Sequence, residues 1–310
     1  MKTRFVLGLL IAGCCSAPAQ TNDMDVGDLL DSAQQWAKDN LGDDVLRALQ
    51  DVDRRKVEDF LNHLQDCLNG DDVLDVAQLK DAANHMLPLL DAHEETQPYA
   101  VWLRARLDYF DAVDELIAAL PKIEPGKPAP QRLNPPFAAE REIWIKKVAP
   151  RPWPKAAQEY MPKLKPVFVS EGIPPALAWV AEVESSFDPR ARSPAGAVGL
   201  FQLMPPTAKQ YGLSLWPRDQ RRQPETAARA AAKHLRQLYT KFGNWRLAIA
   251  AYNSGEGRVE KLLQRYKTDN YESIATHLPA ETQLFVPKVE ATILHREGIE
   301  LAGLPAPEAQ

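Results

Sequence analysis

The stretch that decides the fold of this chain is residues 173–212, IPPALAWVAEVESSFDPRARSPAGAVGLFQLMPPTAKQYG. Its first half predicts an apolar helix, because two prolines stand where a first helical turn leaves its N–H groups unpaired, and apolar residues then recur at helical spacing. The Asp188–Pro189 step is expected to end this helix, since a residue before proline is pushed out of the helical conformation. Glu184 is therefore predicted to lie near the helix C-terminus.

A carboxyl group in that position is a candidate proton donor. The helix dipole disfavours an anion at the C-terminus and the apolar neighbours desolvate it, so both effects raise the pKa of Glu184. A carboxyl group that keeps its proton at neutral pH can act as a general acid. Glu182 lies on another face of the helix, and we therefore single out Glu184. The alternative, that both glutamates are solvated surface residues, stays open from the helix alone.

Small residues and two glycines fill the loop after this helix, residues 193–205. Glycine lets the backbone approach a ligand closely, and the amide of Gln202 and the thioether of Met204 belong to the same loop. The Pro205–Pro206–Thr207 run then predicts the start of another helix.

Four signatures occur in order: Glu184–Ser185, the run through Gln202 to Ala208, Ala251–Tyr252–Asn253 and Glu281–Thr282. With them the chain resembles the soluble-lytic-transglycosylase (SLT) type of peptidoglycan-cleaving domain, which is lysozyme-like and similar to glycoside hydrolase family 23, and in particular the membrane-bound lytic transglycosylase D group. The resemblance extends from Pro154 to His295.

The resemblance implies a lyase reaction in which Glu184 acts twice. As an acid it would protonate the β-1,4 glycosidic oxygen after N-acetylmuramic acid. As a base it would then deprotonate the 6-hydroxyl of that sugar, which closes a 1,6-anhydro ring without water. No cofactor and no metal ion are implied. The substrate-binding residues carried over are Ser185, Gly199, Gln202, Met204, Tyr252, Asn253 and Glu281.

One signature departs from the family pattern. In the run ETQLFV that begins at Glu281, Phe285 stands where the family has tyrosine. We expect the ring to keep an aromatic wall of the sugar groove and to forfeit one hydrogen bond, worth about 0.5–1.5 kcal/mol.

The residues by themselves leave the chemistry open. Glycoside cleavage usually requires two carboxyl groups, whereas this region offers one well-placed acid, which suffices only if the substrate supplies its own nucleophile. Two alternatives remain: a lysozyme-type hydrolase on the same fold, and a non-catalytic peptidoglycan-binding protein. The six histidines lack metal-ligand spacing and no serine occupies a nucleophile elbow, so neither a zinc site nor an esterase triad is supported.

The N-terminus predicts export. Residues 1–19 combine a basic start with an apolar core that is too short to span a membrane, which is typical of a signal peptide. Two processing sites fit: a lipobox in which Cys14 is lipidated, and cleavage after Ala19. We favour the lipobox, because small residues directly precede the cysteine at the end of the apolar core. The expected location is the periplasm, or the outer membrane through a lipid anchor, of a Gram-negative bacterium.

Helical spacing and scarce β-branched alternation over 310 residues predict a mainly α fold, with a lysozyme-like catalytic domain preceded by a separate helical region. One long helix is predicted from Ala100 to Leu120, and a short helix is expected from Phe137 to Val148. The expected divisions are an acidic helical region at 21–120, a proline-rich linker at 121–154, the SLT domain at 155–300 and a tail at 301–310.

Charge is divided unevenly along the chain. Residues 21–125 contain 24 acidic and 9 basic residues, whereas residues 126–310 contain 18 acidic and 26 basic residues. The basic half suits a polyanionic partner, and the glycan strands of peptidoglycan, with their carboxylates, are one. A dense basic cluster with interleaved aromatic residues does not occur, so nucleic acid is not expected as a partner. The sequence indicates no oligomeric state.

Overall fold

The computed structural model describes residues 43–119 and 134–308, with side chains from residue 55 onward. Across these residues the chain forms α-helices joined by short 3-10 turns, and β-structure is limited to isolated bridges within one loop. The predicted mainly α fold is therefore confirmed. The helices are α1 (Asp43–Asn69), α2 (Lys80–Asp91), α3 (Gln97–Arg104), α4 (Leu107–Ala119), α5 (Phe137–Val148), α6 (Lys155–Ser170), α7 (Val180–Ser185), α8 (Pro205–Gln210), α9 (Pro224–Phe242), α10 (Trp245–Ser254), α11 (Glu256–Tyr266) and α12 (Ala280–Glu297).

The chain divides into two compact units, Met1–Glu58 and Asp59–Gln310. In the first unit the structure describes only the beginning of α1, so the signal peptide and Cys14 lie outside the described residues, as do residues 121–133 of the expected linker. Along the described part of the chain, no helix combines the length and the apolar composition that crossing a membrane requires.

Helix α12 runs through the second unit and is buried on nearly every face. It packs against α5, α7 and α10. A helix enclosed in this way must pair the polar groups that it carries. Lys288 donates to Asp108 Oδ1 (2.8 Å), and Glu290 accepts from Arg246 (Nε–Oε2 2.8 Å) and from Arg141 (Nε–Oε1 2.6 Å).

Local sequence signals account for both ends of α9 and for the start of α10. Pro224 occupies the first turn of α9, and Gly243 ends it in the left-handed conformation at φ 66°. The side-chain oxygen of Asn244 then accepts from the backbone N–H groups of Arg246 (2.8 Å) and Leu247 (3.2 Å), which caps α10. Each of these three signals acts on backbone groups within a few residues of its own position.

The prediction of one long helix from Ala100 to Leu120 is wrong, because the helix is interrupted between α3 and α4. At the break the carbonyl of Ala105 accepts from Lys288 Nζ (2.7 Å), and the next residue, Arg106, turns its side chain into the protein. The apolar stripe continues on both sides of this interruption, so the hydrophobic pattern does not indicate where the helix ends. The buried lysine on α12 needs an acceptor that a continuous helix would keep for its own ladder.

The proline-rich stretch contains a helix that ties the unit together. Helix α5 forms with the predicted bounds and packs against both α4 and α12. Helix α3 contacts α7, and the 3-10 turn Val73–Leu79 contacts α12. The described residues from 59 to 119 thus belong to the same compact unit as the C-terminal helices, not to the separate region that the prolines predicted. An apolar stripe shows that a helix has a face to bury, but not which partner buries it.

Candidate functional site

Helix α7 is short and carries Glu184 in its last turn. It follows a 3-10 turn, Pro175–Trp179, and ends because Ser186 (φ 52°) and Phe187 (φ 64°) adopt left-handed backbone conformations. The helix therefore stops before the Asp188–Pro189 step that was expected to end it. The predicted position of Glu184 near a helix C-terminus is confirmed.

The carboxyl group of Glu184 is enclosed, with 3% of the residue exposed. Burial raises its pKa to about 8, partly opposed by the nearby positive charge of Arg106 and reinforced by the negative charge of Glu281. Glu182 turns away and pairs with Arg296 (Oε1–Nη2 2.7 Å). The alternative of two solvated glutamates is therefore wrong, and Glu184 is the one of the two that is buried and keeps its proton near neutral pH.

Arg106 is the residue beside the acid that the sequence reasoning missed. Its Nη2 lies 2.7 Å from Glu281 Oε1 and 3.5 Å from Glu184 Oε2. Its Nη1 donates to the backbone carbonyl of Glu184 (3.3 Å), and its guanidinium carbon lies 4.5 Å from the centre of the Trp102 ring. A sequence signal existed, because Arg106 follows Leu103 by three residues and thus interrupts the apolar stripe with a charge.

The loop between α7 and α8 is held in one shape by a few side chains. Gly199 (φ 87°) donates its N–H to the Ala191 carbonyl (3.0 Å). The amide nitrogen of Gln202 donates to the carbonyls of Ala191 (3.1 Å) and Gly199 (2.9 Å), which leaves the buried Oε1 of Gln202 without a partner. Arg221, also missed by the sequence reasoning, donates from Nη1 to the Gly196 and Leu203 carbonyls (both 2.9 Å).

Ser185 and Tyr252 fasten the tip of this loop to the helices. The Ser185 hydroxyl donates to the Leu200 carbonyl (2.9 Å), and the Tyr252 hydroxyl donates to the Phe201 carbonyl (2.6 Å). Helix α10 continues to Ser254, so Tyr252 lies in its last turn and not at its end. Burial, followed by the negative charge of Glu184, raises the pKa of Tyr252 well above its usual value, so its phenol stays protonated.

The remaining predicted residues lie around this centre. Asn253 Oδ1 accepts from the Thr282 hydroxyl (2.6 Å), which joins α10 to α12 next to Glu281. Met204 precedes α8 and is 38% exposed. Phe285 is fully buried in the hydrophobic core, so the prediction that it forms a wall of the groove is wrong. Helix α12 is enclosed at that turn, so the hydroxyl of a tyrosine at position 285 would lie in the hydrophobic core.

The site brings together one buried acid, one arginine, a second carboxyl group and several amide and hydroxyl groups. Within the described residues, no group of three or more histidine, cysteine, aspartate or glutamate side chains is placed to hold a metal ion. The arrangement can donate a proton from Glu184 and can stabilise the resulting anion through Arg106.

A family model described as "Transglycosylase SLT domain" matches residues 170–274. This range lies inside the span over which the four signatures resemble that family, and the resemblance is confirmed. The membrane-bound lytic murein transglycosylase D of Escherichia coli (strain K12) is 38% identical over 141 residues, which cover 44% of this chain and 31% of that protein. The soluble lytic murein transglycosylase of Salmonella typhimurium is 40% identical over 90 residues, which cover 27% of this chain and 14% of that protein.

This chain thus spans less than one third of the length of these curated relatives. Among solved structures, the 70-kDa soluble lytic transglycosylase from Escherichia coli matches with a TM-score of 0.40 and 19% identity, over 93% of this chain and 59% of that chain.

Proposed function

Because residues 170–274 match the family model of a transglycosylase SLT domain, we propose that this chain is a lytic transglycosylase that cleaves the β-1,4 bond between N-acetylmuramic acid and N-acetylglucosamine in peptidoglycan. The observation that carries this proposal is Glu184, a buried carboxyl group whose pKa is raised to about 8. Such a group holds a proton at neutral pH and can deliver it to a leaving oxygen.

In the proposed reaction Glu184 is first the acid and then the base. It donates its proton to the glycosidic oxygen, and the bond between that oxygen and C1 of the muramic acid breaks. The Glu184 carboxylate then removes the proton from the 6-hydroxyl of the same sugar while that oxygen bonds to C1. A 1,6-anhydro ring closes, Glu184 regains a proton, and no water is consumed.

Two polar groups at the site are suited to hold the sugars. The unpartnered Oε1 of Gln202 can accept a hydrogen bond from a sugar hydroxyl or amide, whereas its nitrogen is occupied by the loop. The Tyr252 phenol, which remains neutral, has oxygen lone pairs available beside Glu184. The other substrate-binding residues that we propose are Ser185 and Gly199, which shape the loop, and Met204, Asn253 and Glu281, which border it.

The proposed substrate also agrees with the charge distribution of the chain and with the predicted export signal. The basic half, residues 126–310, favours the carboxylate-bearing glycan, and the signal sequence at residues 1–19 would deliver the protein to the periplasm. Lipidation at Cys14 would hold it at the outer membrane, close to peptidoglycan.

A hydrolase is the second candidate, because one nitrogen of Arg106 contacts both Glu184 and Glu281 and so places a second carboxyl group beside the acid. Two adjacent carboxyl groups are the usual equipment of a glycoside hydrolase. In that reaction water would take the place of the 6-hydroxyl.

Mass spectrometry of the sugars that the purified chain releases from peptidoglycan tests the proposal. The wild type should release anhydro-muropeptides, each lighter by one water molecule than its hydrated counterpart, and Glu184→Gln should lower the rate by at least roughly a hundredfold. Glu182→Gln is the matched control, since it makes the same change two residues away, in an ion pair with Arg296. Hydrated reducing ends would favour the hydrolase, and release of no product by the wild type would refute both enzymes.

A further inference from the structure

The arginine that contacts the buried acid comes from outside the matched domain. Arg106 lies at the break between α3 and α4, 64 residues before the first residue of the matched range, yet its side chain is only 5% exposed and reaches Glu184. Resting on the proposed function, we infer that Arg106 is a positioning residue of the reaction, which aligns Glu184 and Glu281 and supplies the countercharge when Glu184 gives up its proton.

Every nitrogen of the guanidinium group is occupied at the site. Nε and Nη2 both donate to Glu281 Oε1, at 2.8 and 2.7 Å, and Nη2 also lies 3.5 Å from Glu184 Oε2. Nη1 donates to the backbone carbonyls of Glu184 (3.3 Å) and Trp102 (3.4 Å). Because the planar fork is rigid, these contacts fix the side chain and the main chain of Glu184 at once.

The charges around Glu184 explain why a cation is needed there. The groups that face it are Arg106 at the break, Tyr109 on α4, Tyr252 on α10, and Glu281 and Lys288 on α12. The nitrogen of Lys288 is committed to Asp108 and to the Ala105 carbonyl. After proton transfer two carboxylates would face each other in an enclosed site, and Arg106 lies between them.

The break between α3 and α4 positions the side chain of Arg106 at the site. Lys288 holds the Ala105 carbonyl at 2.7 Å, and the Trp102 ring stacks below the guanidinium group at 4.5 Å. An arginine that served only to join two helices would need one acidic partner. Arg106 instead contacts both the side-chain carboxyl group and the backbone carbonyl of Glu184, the proposed acid.

The test is the pH dependence of anhydro-sugar release by the full chain and by three variants. Arg106→Gln removes the positive charge that favours the Glu184 anion, so Glu184 should hold its proton to higher pH and be a weaker acid. We expect the alkaline limb of kcat/KM to move to higher pH, and kcat to fall by at least roughly tenfold while KM changes little. Arg106→Lys keeps the charge and should restore the limb and part of kcat. Arg104→Gln, an exposed residue paired with Asp91, is the control and should match the wild type.

A folding defect would not blur the result. Circular dichroism and thermal melting establish whether Arg106→Gln folds. If it does not, the same substitution is made in Glu281→Gln, which leaves no second carboxylate beside Glu184, and the alkaline limb of the double variant should lie at higher pH than that of Glu281→Gln alone. An alkaline limb that coincides with that of the parent protein, wild type or Glu281→Gln, or a kcat equal to that of Arg104→Gln, overturns the inference. A wild type that releases no anhydro sugar refutes the proposed function and this inference with it, whereas an active wild type and control leave the result at Arg106 to decide the inference alone.

Discussion

A methyl group at Gly199 has no room, which makes this glycine a sharp test of how the loop beside Glu184 is held. Gly199 has φ 87°, and a Cβ built there would overlap the carbonyl oxygen of Arg221 and lie 2.9 Å from its carbonyl carbon. These are backbone atoms, which cannot rotate away. The Arg221 segment is itself fixed, because Arg221 donates to the Gly196 and Leu203 carbonyls and pairs with Asp219 (2.7 Å).

Gly199→Ala should therefore cost about 1–2 kcal/mol for the left-handed backbone and a further ~1–3 kcal/mol for the overlap. Gly196→Ala is the matched control, because Gly196 has φ 91° in the same loop but no atom within 4 Å of the added methyl group. Gly196→Ala should therefore lose only the free energy that the left-handed backbone costs, about 1–2 kcal/mol. At about 2–4 °C per kcal/mol, Gly199→Ala should melt below Gly196→Ala by roughly 2–12 °C.

Urea unfolding followed by circular dichroism measures both free energies of unfolding, and sugar release measures the effect on the site. Activity should fall more in Gly199→Ala, since the Gly199 carbonyl accepts from the Gln202 amide. Two variants whose free energies of unfolding agree within about 0.5 kcal/mol, which is the usual error of additivity, would refute the argument that the close approach to Arg221 defines the loop.

Four further outcomes are expected. Because burial raises the pKa of Glu184 to about 8, kcat/KM for sugar release should fall as pH rises through that value; a rate that is constant from pH 6 to 9 would contradict the role of acid. Asn244→Ala removes the cap of α10 and should lower the free energy of unfolding by ~0.5–2 kcal/mol in urea titrations, with an unchanged value as the contrary result. Burial raises the pKa of Glu140 well above its usual value, so the folded state binds this proton more tightly than the unfolded chain and loses stability as pH rises above the unfolded pKa. The melting temperature of Glu140→Gln should therefore increase relative to that of the wild type between pH 5 and pH 8. A difference between the two melting temperatures that stays constant over this range would count against the argument. Phe285→Tyr should destabilise by ~1–3 kcal/mol without raising activity, because the hydroxyl would enter the core; a more active variant would return this position to the groove.

Local signals explain which parts of the fold could be predicted. Both ends of α9 and the start of α10 follow from Pro224, Gly243 and Asn244, each of which acts on backbone groups within a few residues. The same holds for Glu184, which the sequence placed near a helix end and among apolar neighbours. The direction of its pKa shift followed from those two facts.

The misplaced features depended on partners far along the chain. The break at Ala105 exists because Lys288, 183 residues away, donates to its carbonyl. Phe285 was expected at the groove because the motif carries an aromatic residue there, but the enclosure of α12 by other helices buries it. Gln202 was expected to bind the substrate, and the tertiary structure adds that its amide nitrogen holds the loop.

The sequence by itself determined the helical class, the bounds of α5 and α9, the SLT signatures and the choice of Glu184 over Glu182. Each of these follows from spacing or from neighbours within one or two turns. Only the tertiary structure decided that Arg106 stands between Glu184 and Glu281, because an ion pair between α3–α4, α7 and α12 depends on how buried faces are matched. Burial, which raises the pKa of Glu184 and brings Arg106 beside it, is a property of the packed chain and is not encoded at either position alone.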